Sequence, residues 1–89
     1  MSIYVKTVWG RTKTEAEISS QDQYIQAQVA AGTTDGVSYT IGEEAVAGAV
    51  SVAVATNLRI WNTLAAANGY ISFLNTFSPP PVVAAVYAE

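Results

Sequence analysis

The chain has 89 residues, 51% of them apolar and 12% charged, and contains neither cysteine nor histidine. One domain accounts for that length, and the missing side chains exclude disulfides, thiolate- or imidazole-bound zinc and the usual haem ligands. Four cations (Lys6, Arg11, Lys13 and Arg59) against seven acids leave a net charge of −3, which opposes binding to a phosphate backbone.

A domain of this size buries about two thirds of the surface of its unfolded chain, so its own core supports only marginal stability. With staples excluded, association with another chain is the expected remedy. The opening residues alternate polar and apolar side chains and include Lys6, unlike an export signal. The most apolar stretch, 45–55, is short for a membrane span and follows Glu43 and Glu44. A cytoplasmic protein with no membrane partner is expected.

Ser2 to Trp9 places Ile3, Val5, Thr7 and Trp9 on one parity and Tyr4, Lys6 and Val8 on the other, as a first strand would. Thr14-Glu15-Ala16-Glu17 matches a capping box and starts a helix over Glu15 to Ala31. In it Ile18, Ile25 and Val29 recur at helical spacing, Gln21, Asp22, Gln23, Gln26 and Gln28 supply a solvated face, and Gly32 closes the end. Thr33 to Gly36 has turn chemistry, and Val37, Tyr39 and Ile41 then alternate as a second strand. A hairpin follows, with its reversal at Gly42-Glu43-Glu44 or at Ala47-Gly48.

From Val50 the residues Val50, Val52, Val54, Leu58 and Ile60 hold one parity, which predicts a third strand longer than the others. Alanine propensity would also allow a helix over 45–55, but its β-branched residues favour strand. Asn62 or Thr63 caps a second helix with a stripe of Leu64, Ala67, Ile71 and Leu74, widened by Tyr70, Phe73 and Phe77 and ended by Pro79-Pro80-Pro81. Val82 to Ala88 makes a last strand, apolar on both parities.

The order strand, helix, strand, strand, helix, strand predicts a single α+β domain over 1–89. It is the ferredoxin-like βαββαβ sandwich, a four-stranded antiparallel sheet in order 4-1-3-2 with both helices on one face. The segment Leu58-Arg59-Ile60-Trp61-Asn62-Thr63-Leu64-Ala65-Ala66-Ala67, with Tyr70-Ile71-Ser72-Phe73-Leu74, resembles the strand-to-helix region of small dimeric α/β-barrel proteins. The opening Met1 to Trp9 and the ending Phe77-Ser78-Pro79-Pro80-Pro81-Val82 are similar to uncharacterised small proteins of marine T4-type phages. The first resemblance implies a dimeric fold and raises the question of monooxygenase activity. The second implies no activity.

Without histidine or cysteine there is no imidazole base and no Ser-His or Cys-His pair. Glu15 and Glu17 are explained by the helix start, and neighbouring strand residues point to opposite faces, which separates Glu43 from Glu44. No glycine loop has phosphate-binding spacing, and Lys6 and Arg59 are the only sheet cations, too few for a nucleic-acid reader. No catalytic, metal or cofactor residue is assigned, and no cofactor is expected.

The expected function is assembly: a non-enzymatic homo-oligomerising domain, a structural or accessory protein of a phage. The alternative is a small-molecule binder or cofactor-independent monooxygenase of the dimeric α/β-barrel type. If the more hydrophobic parity of strand three, Val52, Val54, Leu58 and Ile60, faces the helices, the opposite sheet face carries Tyr4, Lys6, Val8, Ala53, Ala55, Asn57, Arg59 and Trp61. These form the candidate homodimer interface, with Lys6 and Arg59 at its rim or meeting Glu43, Glu44 or Glu89 of the other subunit.

Overall fold

The computed structural model of the protein describes residues 3–11, 13–41 and 56–88. In chain order they form β1 (Ile3–Val8), α1 (Glu15–Ala31), β2 (Ser38–Ile41), β3 (Thr56–Trp61), α2 (Leu64–Leu74) and β4 (Val83–Ala88). The strands make one antiparallel sheet in the order β2-β3-β1-β4. β1 lies inside it, with Ile3 opposite both Trp61 and Ala88, and Thr7 opposite both Asn57 and Ala84.

The ferredoxin-like sandwich read from the sequence is corrected in its sheet, which among the described residues is a body of three six-residue strands, β3-β1-β4, with the four-residue β2 at the β3 edge. The expected start of strand three at Val50, both hairpin reversals, Ala53 and Ala55 lie outside the described residues. A further correction concerns which way β3 faces. Opposed residues of an antiparallel pair share a face, so Asn57, Arg59 and Trp61 lie with Thr7, Val5 and Ile3, while Leu58 and Ile60 lie with Lys6 and Tyr4.

Burial shows which of these faces meets the helices. Ile3, Val5, Trp9 and Trp61 join Ile25 of α1 and Ala67, Tyr70 and Leu74 of α2 in one core, and the Trp61 and Tyr70 ring centres are 4.9 Å apart. Trp61 is 1% exposed. The parity expected to leave the core therefore enters it.

The helices begin where their hydroxyl caps fall. Thr14 Oγ1 accepts from the Glu17 amide at 3.2 Å, and Glu17 Oε1 accepts from the Thr14 amide at 2.8 Å. Gly32 ends α1 at φ +78°, a left-handed conformation that a side chain disfavours. Thr14→Ala is expected to cost about 0.5–2 kcal/mol, the usual worth of an N-cap hydroxyl, as a lowered midpoint of chemical denaturation.

Thr63 caps α2 by accepting from the Ala66 amide at 3.1 Å. The helix stops at Leu74, capped by Asn75, so the proline run follows a connecting segment and does not itself end the helix. Its buried stripe is Ala67, Tyr70 and Leu74, and Leu64, expected in the stripe, is 55% exposed.

The segment between α1 and β2 is tied along β3. Thr34 is buried and its hydroxyl donates to the Ile60 carbonyl, while the Ile60 and Asn62 amides donate to Val37 and Thr33. These bonds extend the β2–β3 pairing beyond β2 itself.

Candidate functional site

The two sheet faces differ in charge and cover. On the face away from the helices stand Tyr4, Lys6 and Val8 of β1, Leu58 and Ile60 of β3, and Val83 and Ala85 of β4, placed there by the strand registers. The β1 and β3 members are partly exposed, and Val83 is 36% exposed. No described element packs on this face. Lys6 is its only charged residue among the described positions; the other described charges lie on α1, in loops, or on the helix-facing side of β3.

The helix side holds a polar layer at the end where α1 begins. Both terminal nitrogens of Arg11 grip the Glu17 carboxylate, at 2.8 and 2.7 Å, and one also donates to the Pro79 carbonyl at 2.8 Å. This grip and the Thr14 amide hold the Glu17 carboxyl down at about 2. A depressed carboxyl contributes stability that is fully present above its ordinary range and is lost as pH falls through the folded value. Stability is therefore expected to decline between about pH 4.5 and 2, and Glu17→Gln should remove that part of the decline in denaturant titrations across this range.

Beside this pair, Lys13 Nζ sits 5.0 Å from the centre of the Trp9 ring and donates to Gln21 Oε1 at 2.8 Å. Gln21 Nε2 in turn donates to the Tyr70 hydroxyl at 2.7 Å. Burial lowers the Lys13 pKa, and the charge of Arg59 lowers it further. Burial raises that of Tyr70, against the pull of Arg59 and Gln21. Gln21, expected on a solvated face, is 7% exposed because it reaches Tyr70, a partner 49 residues away.

The sequence-derived interface set is thus divided between two faces. Tyr4, Lys6 and Val8 lie on the open one. Asn57, Arg59 and Trp61 lie on the helix side, a correction forced by the pairing of β3 with β1. Leu58 and Ile60, expected in the core, take their place on the open face. Tyr24 was missed by the helical spacing of Ile18, Ile25 and Val29; it stacks on Phe73 with ring centres 4.2 Å apart and helps hold α1 on α2.

Comparison with protein-family models, curated proteins and solved structures returned no match to this chain. Among the described residues no three carboxylates converge as metal ligands would, and no helix is long and apolar enough to cross a membrane.

Proposed function

We propose that the protein is a non-enzymatic homo-oligomerising domain whose work is done by assembly, through the sheet face that the helices leave open. One observation carries the reading. A face built from Tyr4, Val8, Leu58, Ile60, Val83 and Ala85 around a single lysine has no cover among the described elements, in a chain whose other described charges stand elsewhere. Apolar faces of several hundred Å² mark interaction surfaces on small proteins, and a second copy offers the same apolar face in return. Moving Arg59 to the helix side also removes the main cost of the sequence-derived interface, the desolvation of a second cation. A phage structural or accessory role and a cytoplasmic location belong to this proposal.

Light scattering behind gel filtration tests it. A homodimer at micromolar concentration is expected, and a monomer there would overturn the reading.

A further inference from the structure

We infer that Tyr24 is a redox-active tyrosine, the residue on which a one-electron oxidation of either tryptophan comes to rest as a phenoxyl radical. The inference does not depend on the assembly proposal, because every ring in it belongs to the core on the helix side of the sheet or packs against that core. With no cysteine in the chain and Met1 its only sulfur, tryptophan and tyrosine are its most readily oxidised side chains. Six aromatic rings run in a row from one tryptophan to the other. Their centres are 4.9 Å apart for Trp61 and Tyr70, 5.9 Å for Tyr70 and Tyr24, and 4.2 Å for Tyr24 and Phe73. The row continues at 5.3 Å to Phe77 and 5.2 Å to Trp9. These are the spacings of packed aromatic pairs, across which an electron tunnels readily.

The surroundings of the rings give the transfer its direction. An indole that has lost an electron is a cation, and it oxidises a phenol that can release its proton. Trp61 and Trp9 are 1% and 4% exposed, so water does not stabilise that cation in place. Over Trp9 stand Lys13 Nζ at 5.0 Å and the Arg11 guanidinium at 5.3 Å. Both are attracted to the face of the neutral ring and repelled by a ring that has become positive, which drives oxidation away from Trp9. Tyr70 is fully buried and its oxygen already accepts from Gln21, so its proton has no water to go to and its ring serves as a bridge. Tyr24 is partly exposed, and its oxygen lies 3.6 Å from where a Cβ on the exposed Gly69 would stand. Of the two phenols in the row, it is the one whose proton can reach solvent.

The electrons and protons balance with a one-electron oxidant such as the azide radical. The oxidant takes one electron from an indole and leaves as its anion. Tyr24 returns one electron to the indole, through Tyr70 to Trp61 or through Phe73 and Phe77 to Trp9, and loses its proton to water. The tryptophan is restored, and a hydrogen-atom donor such as ascorbate can reduce the Tyr24 radical at the surface.

Pulse radiolysis of the full chain in azide solution at neutral pH tests this, since the azide radical oxidises indole in preference to phenol. The indolyl absorption should decay as the tyrosyl absorption grows, at a first-order rate that does not change with protein concentration. Tyr24→Phe keeps the ring and removes the hydroxyl. It should lose the fast tyrosyl growth and, under steady oxidation, accumulate oxygenated tryptophan several-fold faster. Tyr39→Phe, on β2 and outside the row, should behave as wild type. A nitroso spin trap followed by peptide mapping should place the adduct on Tyr24 in the wild-type protein, a readout that needs no variant to fold. The inference is overturned by indolyl decay without tyrosyl growth, by a growth rate proportional to protein concentration, by an unchanged rate in Tyr24→Phe, or by an adduct on another tyrosine.

Discussion

Trp61→Ala is expected to destabilise the domain by about 3–5 kcal/mol, the range for emptying a fully buried aromatic site. Trp61 is among the largest fully buried side chains. It lies opposite Ile3 and against the Tyr70 ring, so its removal opens space where β1, β3 and α2 meet. Small domains have only about 5–15 kcal/mol of stability in total, and a loss of this size should bring the urea midpoint close to zero denaturant. A shift no larger than that of an exposed-site substitution would show that Trp61 does not face α2. The same placement changes how a charge at this position reads. Trp61→Glu, which on the sequence alone would probe an interface, should unfold the subunit, so a loss of dimer in that variant would say nothing about the open face.

Ile60→Glu is the informative charge. Ile60 stands opposite Tyr4 on the uncovered face, one residue from Trp61 and on the other side of the sheet. In a dimer built on this face, two glutamates related by symmetry would be desolvated without partners, at a cost of several kcal/mol. Dimerisation should weaken at least about a hundredfold, giving a monomer by light scattering with an unchanged far-ultraviolet spectrum. Leu58→Glu, beside Lys6, should act in the same direction but less strongly, because the lysine offers a counter-charge. An Ile60→Glu protein that stays dimeric would place the interface elsewhere.

The elements that depend on neighbouring residues were legible in the sequence. The capping box at Thr14, the left-handed Gly32, the Thr63 cap and the alternation of Ile3, Val5, Thr7 and Trp9 all appear in the structure where local chemistry puts them. What failed was each inference that needed to know what lies across the layer. β3 was turned the wrong way because Leu58 and Ile60 outweigh Asn57 and Arg59 on a hydrophobic count. The structure follows Trp61 instead, and the polar pair goes with it to the helix side, Asn57 opposite Thr7 and Arg59 opposite Val5. Gln21 read as solvated for the same reason, since nothing within α1 reveals a hydroxyl on α2 waiting for it. Leu64 erred in the opposite sense, with helical spacing that fits the stripe and a position in the first turn that leaves it outside the core.

The central place of β1 sets the order in which the sheet can form. Its two neighbours, β3 and β4, both come late in the chain, and Ile3 pairs with Ala88 across nearly the whole of it. During synthesis β1 emerges first and must wait, unpaired on both edges, while α1 can already wind on its own caps. Closing such long loops is slow, and domains dominated by distant pairings fold over about milliseconds to seconds, where helical ones need microseconds to milliseconds. Through that interval the apolar residues Ile3, Val5 and Trp9 are exposed beside a free strand edge. The nascent chain is thus at its most aggregation-prone before β4 has been made, and loss of β4 would leave β1 as a bare edge in every molecule.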